Sequence, residues 1–406
     1  MHRHGARLAI GAVFIVCAVP AFAQCQYDAV VLGVVPAQQP CSSSHTTWAA
    51  VNESGLVLGE YSLCTNDDQR RPVLWSEPEG LQYPTLPPGI ASFRPVDING
   101  AGEFCGIARV QGDQSFQHSV VYVSGTWTLL EIPPGGTYIE AKAITDHGEV
   151  TGHWGENVTG LSSGFVWKDG VFTDLGPVFR QPFLRIHDMN EFGQVTGRIR
   201  AEGSPPHTFR ANVDGSEFID LGVIPGGTTS EGDFINNRGH IVGVGKIQDP
   251  DLPSAYNHVW IYTGRGLAQV DADTGWYQSG ASNINRFDMI VGVGYPKPTE
   301  PIVFLYQQGE LTFVNDLLTP EAIELVGDVT STRDLRDNGV ILASHPWCLL
   351  VPRRIPGDVT ADCRVNARDL AEVLADWGLS DSPADLNRDG IVDSNDLTLV
   401  LEAWSR

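Results

Sequence analysis

The chain has 406 residues, 26 basic and 49 acidic side chains, and a net charge of -23, with 42% of its residues hydrophobic. This length exceeds one ordinary domain, though a single large all-β unit also fits. The acidity sets the chain against nucleic acid as a partner, because binding a phosphate backbone needs an excess of Lys and Arg.

Residues 1–23 read as a secretory signal peptide. Arg3 and Arg7 precede an apolar stretch over residues 8–19, and Ala21-Phe22-Ala23 forms a small-x-small cleavage site. About a dozen apolar residues fall short of the ~20 that span a bilayer, and no later segment qualifies as a transmembrane helix. Gln24 stands before Cys25 where lipid anchoring wants a small residue. Export is expected, to an extracellular or cell-surface location. Removing the signal leaves 24 basic against 49 acidic residues, a net charge of -25. Six cysteines remain (Cys25, Cys41, Cys64, Cys105, Cys348, Cys363), an even set for an oxidising compartment, without the CxxC spacing of zinc sites. Cys41 and Cys64 flank the first strand pair and suit a staple, while Cys348 is placed to reach Cys25 or Cys363.

From residue 24 to 352 the chain repeats every 45 to 51 residues. Each unit has an apolar residue, a four-residue turn ending in glycine, and a β-branched stretch ending in a second glycine. The turns are Asn52-Glu53-Ser54-Gly55, Asn99-Gly100-Ala101-Gly102, Thr145-Asp146-His147-Gly148, Asn190-Glu191-Phe192-Gly193 and Asn236-Asn237-Arg238-Gly239. Looser copies follow at Asn285-Arg286-Phe287-Asp288 and Arg336-Asp337-Asn338-Gly339. Asparagine bonds its own turn and glycine accepts a positive φ, which closes an antiparallel hairpin. A second strand pair follows in the first six copies, as in Phe165-Val166-Trp167 to Gly170, giving four short strands per unit. One such sheet cannot cover its own faces, so the period suits a β-propeller, with a sandwich or an open solenoid as alternatives. The seventh copy lacks a fourth strand, and Tyr27 to Pro36 matches a fourth strand with none before it. The sequence therefore predicts an all-β propeller of seven blades closed by the N-terminal strand.

The pattern DIN-x-x-G-x-x-x-G, then F-x-W-x-x-G and D-L-G-x-x-P-G-G, resembles the bacterial extracellular HAF repeat family over residues 27–352. The resemblance implies an exported, propeller-like protein and no particular activity. The Trp-Asp dipeptide of WD40 repeats and the paired glycines of kelch repeats are absent.

Residues 353–356 read as a short linker, and residues 357–406 as a small all-α calcium-binding domain. Asp385 to Asp396 places oxygen side chains at loop positions 1, 3, 5, 9 and 12, with Gly390 at 6, the pattern that wraps a hard cation. The pattern recurs 27 residues earlier. Each loop runs into a helix with one apolar face: Leu370, Val373, Leu374 and Trp377, then Leu397, Val400, Leu401 and Trp404. The segment resembles the type I dockerin module, a duplicated EF-hand-like loop-helix unit that folds on calcium and binds a cohesin domain. That resemblance implies Ca2+ ligands Asp385, Asn387, Asp389, Asp393 and Asp396 with the Ile391 carbonyl. For the first loop it implies Asp358, Thr360, Asp362, Asn366 and Asp369 with the Arg364 carbonyl. Thr360 is a weaker ligand and Cys363 occupies the glycine position, so the second loop is expected to bind more tightly. Partner choice would be read at Ala367-Arg368 and Ser394-Asn395, with a cohesin-like protein or cell-surface assembly as partner.

Enzyme signals are thin. Gly160-Leu161-Ser162-Ser163-Gly164 satisfies G-x-S-x-G but precedes a strand, whereas a hydrolase elbow needs a following helix. Metalloprotease, phosphate-loop and dinucleotide motifs are absent. On the propeller, loops at residues 60–71, 153–163, 198–207 and 275–282 are the expected binding side, with His153, Trp154, Trp276 and Tyr277 as ring candidates for polysaccharide or peptide. The leading expectation is a secreted, non-catalytic binding propeller attached through its dockerin-like module. The alternatives are a carbohydrate-active enzyme, a glycoside hydrolase or polysaccharide lyase targeted by that module, and a structural protein whose C-terminal part is only a calcium-stabilised cap.

Overall fold

The computed structural model describes residues 25–36, 44–64, 69–113, 118–248, 254–353, 355–380 and 382–404. Residues 1–24, which include the expected signal peptide, and Cys41 lie outside the described residues. The strands form seven four-stranded antiparallel sheets. The first comprises His45–Val51, Val57–Ser62, Arg71–Ser76 and Gly80–Gln82, and the next five follow in the same up-and-down order. In the last, Ser331–Leu335, Ile341–Ser344 and Cys348–Pro352 are joined by Tyr27–Val31, which pairs antiparallel with Cys348–Pro352. First strands of successive sheets touch one another around a closed ring, a β-propeller. The core is divided among the gaps between sheets. In one, Ala50, Leu58 and Leu74 meet Phe93, Phe104 and Val120.

Two features of the repeat acquire a physical reason. Every first strand carries a bulge at the residue before the "D" of DIN: Ala49, Val96, Lys142, His187, Asp233, Ser282 and Arg333. A bulge re-aims one side chain and bends the strand. The second glycine of the repeat lies against this kink. A Cβ at Gly106 would sit 2.5 Å from the Arg94 carbonyl, and one at Gly152 would sit 2.0 Å from the Glu140 carbonyl. Only glycine fits there.

The DIN residues latch each sheet to the next. Asp97, Asp188 and Asp334 each accept an N–H from the following sheet, from Ile144, Ile235 and Val51, at 2.8–2.9 Å. Asn52, Asn99, Asn190, Asn236 and Asn285 donate Nδ2 to a turn carbonyl of the next sheet at 2.9–3.2 Å. A third set runs along the turns, as where Asp146 N donates to Glu191 and Asp337 N to Glu53 Oε1. A hydrogen bond between neutral groups contributes about 0.5–1.5 kcal/mol net, and one to an ionised carboxylate about 1.5–3 kcal/mol.

The expectation of a propeller plus a separate all-α domain is corrected. Residues 357–404 hold two helices, Ala367–Ala375 and Ser394–Trp404, and their core is completed from the propeller. Phe287, on a turn of the sixth sheet, is fully buried among Val359, Val373, Ala384, Val392 and Val400. Two short helices in under fifty residues bury too little surface to stand alone, and the Phe287 ring supplies the missing volume.

The disulfide proposals for Cys348 are also corrected. Cys25 pairs with Cys363, and Cys348 is buried as a free thiol. Register explains the choice. Val31 lies opposite Cys348 and Tyr27 opposite Pro352, so Cys25 falls about six residues, roughly 20 Å, along the strand from Cys348. Cys64 is disulfide-bonded.

Candidate functional site

The C-terminal segment, residues 357–404, sits on the turn side of sheets five to seven. Arg286 pairs with Glu372 at 3.2 Å and with Asp376 at 2.8 Å, and Arg238 also pairs with Glu372. Both guanidinium groups flank the Phe287 ring, at 5.2 and 5.9 Å from its centroid. Arg368 donates to the Phe287 carbonyl at 2.9 Å, and Gln308 Nε2 to Asp362 Oδ2 at 2.7 Å. The spacing of Arg368, Glu372 and Asp376 places all three on one helical face turned to the propeller.

The two loops share one backbone design. In the second, Asp385 accepts from Asp389 N and Gly390 N, while Asp396 accepts from Leu386 N, Asn387 N and Asp393 N. In the first, Asp358 accepts from Asp362 N and Cys363 N, while Asp369 accepts from Val359 N, Thr360 N and Asn366 N. Asp389 Oδ1 bonds Ile391 N as Asp362 Oδ1 bonds Arg364 N, and Asp393 bonds Asn395 N as Asn366 bonds Arg368 N. Asp358, Thr360 and Asp369 are buried, as is Asp396. Burial, then the facing carboxylates of Asp362 and Asp369, pushes Asp358 up to about 7. Crowded carboxylates of this kind are what a divalent cation relieves, and an oxygen-only donor set suits calcium among the common metals.

The helices, with the turn that follows the first, do not bury all of their apolar residues. Val373 and Val400 are fully buried and Leu370 and Leu397 partly, whereas Leu374, Trp377, Leu401 and Trp404 stand 55, 48, 50 and 42% exposed. Ala367, Ser394 and Asn395 are also exposed.

On the propeller axis, a cavity of about 240 Å³ is lined by Asp97, Asp188 and Asp334 with Arg336 among them. Arg336 pairs with Asp334, and Asp334, Asp97 and Glu53 together hold its guanidinium more firmly protonated than usual. Burial pushes Asp97 up to about 6 and Asp188 to about 8. No signal in the sequence marked this cavity, because the bulge that shapes it is invisible until strands are paired.

The four ring candidates do not converge. His153 is buried, donates Nδ1 to the Ile186 carbonyl, and is held neutral chiefly by burial. Trp276 is buried against Phe304 and Tyr277 packs on Tyr256. Trp154 lines a mainly apolar cavity of about 580 Å³ with Pro134, Leu161, Pro177 and Pro182, its indole N–H donating to Asp174. Ser162 of the G-x-S-x-G sequence is a buried residue at the start of a strand, Ser162–Lys168.

No protein-family model matches the chain, and no curated protein matches it in sequence. Among solved structures, the β-propeller domain of the Trilobed protease from Pyrococcus furiosus, which has an open velcro topology, aligns at 9% identity and a TM-score of 0.48. That alignment covers 75% of this chain and 90% of that one. A chain from a study of two prolyl endopeptidases aligns at 12% identity and a TM-score of 0.50, over 67% of this chain and 42% of its own. YCF48 bound to D1 peptide aligns at 10% identity and a TM-score of 0.45, over 80% and 96%. At such identities the likeness concerns the β-propeller fold alone.

Proposed function

We propose that this is an exported binding propeller of HAF-repeat type whose duplicated calcium loops present a docking face to a protein partner of cohesin-like kind. The observation that carries the reading is the set Leu374, Trp377, Leu401 and Trp404. Leu374 on the first helix with Trp377 in the turn just after it, and Leu401 with Trp404 on the second helix, stand half exposed, and the two pairs are related by the 27-residue repeat. A chain that recruits Phe287 to complete its core, yet leaves four large apolar side chains outside, has a use for them there. Exposed aromatic and aliphatic clusters beside polar residues are the usual anatomy of protein interfaces. Calcium fixes the loops from which both helices start, so docking depends on the cation. Secretion rests on the charged, apolar and small-x-small order of residues 1–23, and oxygen-ligand calcium sites suit an extracellular location.

The test is capture by the immobilised full-length mature protein, in calcium and in chelator, of surface and secreted proteins, alongside Leu401→Ser/Trp404→Ser. A partner held only in calcium and lost with the double variant supports the reading. Equal capture by the variant, or capture indifferent to chelator, removes it.

A further inference from the structure

Position 6 of a calcium loop turns through the left-handed region, and in the second loop Gly390 does so at φ 95°. In the first loop the residue is Cys363, at φ 57°, and its backbone N–H donates to Asp358 Oδ2 at 2.7 Å, as Gly390 donates to Asp385 Oδ2 at 2.9 Å. Cys363 thus holds a left-handed conformation that an L side chain resists, at a position whose N–H orients the first ligand of the loop. Its sulfur is bonded to Cys25, which lies two residues before Tyr27–Val31 and is buried. Both sulfurs and an Asp358 carboxylate oxygen lie within 4.8 Å of one another, so the crosslink is built against the ligand itself. Ala361, two residues earlier, is also left-handed at φ 55° and buried beside Cys25 in the propeller core. The strand carrying Cys25 is fixed by its own ladder, and Arg353 is held to it by Arg353 N donating to Gln26 O and by the Arg353–Asp28 pair.

We propose that the Cys25–Cys363 disulfide is a positioning element for the first calcium loop. It holds position 6 in the conformation that glycine adopts freely in the second loop, and so makes the cation affinity of the first loop depend on thiol oxidation. The inference rests on the calcium reading of both loops. In the oxidised protein, folding and crosslinking have already set the φ of Cys363, and calcium meets an arranged loop. Once the bond is cut, the loop relaxes toward negative φ, and each binding event must restore the turn. A non-glycine residue in the left-handed region costs about 1–2 kcal/mol, which is about a 5- to 30-fold loss of affinity.

The experiment titrates calcium by chelator competition on the full mature chain carrying Asp385→Ala/Asp396→Ala, so that only the first loop reports. In this background Cys25→Ser is expected to weaken binding by about 5- to 30-fold. Cys25→Ser/Cys363→Gly is expected to restore it, because glycine removes the conformational cost without the crosslink. Thermal melting of each variant verifies that the propeller is folded, and reductant added to the oxidised parent gives the same comparison without substitution. Affinity unchanged by Cys25→Ser and by reductant overturns the proposal, as does a glycine variant no tighter than Cys25→Ser. The reciprocal background, Asp358→Ala/Asp369→Ala, reports the second loop alone and is expected to ignore reductant. If neither background binds calcium, it is the calcium reading that fails, and the result is distinct from a loop that binds regardless of the disulfide.

Discussion

Phe287→Ala is the sharpest perturbation of the join between the propeller and residues 357–404. The ring is fully buried among Val359, Val373, Ala384, Val392 and Val400, yet its backbone belongs to a propeller turn whose Asn285 Oδ1 accepts from Phe287 N and Met289 N. Truncation removes the plug without touching the turn's own bonds. A buried Phe→Ala costs about 3–5 kcal/mol, transfer and cavity terms together. The loss falls on the opening of residues 357–404, because the propeller core of the sixth sheet is a different cluster. Divided by 1.4 kcal/mol per decade, it raises the open population of the segment about 10²- to 10³·⁵-fold. Hydrogen exchange followed by mass spectrometry, in chelator and with the disulfide intact, reads this directly. Amides of residues 367–375 and 394–404 should exchange faster by about two to three and a half decades, while the strand Ile290–Lys297 keeps its protection. Unchanged exchange in the two helices would falsify the shared core and return the segment to independent folding.

Three further outcomes concern the same interface, the axial cavity and the latch between sheets. Arg286→Gln leaves Glu372 and Asp376 buried with less compensation, and should destabilise the segment by about 3 kcal/mol at neutral pH, read as a lower melting temperature of the helices. Asp188→Asn tests the axial cavity. The folded-state pKa of about 8 lies above an unfolded value near 3.9, so the native state holds a proton that the unfolded chain has lost, and stability falls as pH rises between them. Because Asp188 retains contact with the axial cavity, the loss from pH 5 to 8 is set at about 2 kcal/mol, and the variant's stability should decline less steeply over that window; an identical slope sinks the assignment. Asn99→Ala removes Nδ2 from the Thr145 carbonyl and Oδ1 from Glu103 N, and should cost about 1–3 kcal/mol in urea unfolding, with calcium binding unaffected.

The sequence shows the strand pairs because Asn-x-x-Gly is local chemistry. Asn99 Oδ1 meets Glu103 N four residues on, and Gly102 turns at φ 79°. The shared turn of the two aspartate-rich loops is legible for the same reason, since Asp385 finds Asp389 N and Gly390 N inside its own turn. What the sequence hides is every relation across the repeat. The bulge at Asp233 depends on pairing with Ile241–Ile247, and the partner of Cys25 depends on the register of Tyr27–Val31 with Cys348–Pro352. Phe287 was invisible as a plug because an isolated Phe on a turn carries no periodic signal. Its counterpart on the fourth sheet, Phe192, occupies the same turn position and is 72% exposed.

The departures from pattern are nonetheless where the two parts of the molecule meet. The sixth copy is the loose one, with Arg286-Phe287-Asp288 where the fourth has Glu191-Phe192-Gly193. Arg286 and Phe287 hold residues 357–404, and Asp288 keeps the turn by adopting φ 63° without glycine while accepting from Asn236 Nδ2 and His240 Nδ1. The first aspartate-rich loop, residues 358–369, is the loose one of its pair, and its odd residue, Cys363, carries the crosslink to the N-terminal strand. Recurring residues in this chain are spent on latching sheet to sheet, so they could only ever report the scaffold. A residue that breaks a repeat while its neighbours keep it needs a second cause. Here the second cause is one interface, and a substitution drawn from the repeat itself, Arg286→Glu, should leave the propeller's melting unchanged while loosening residues 357–404.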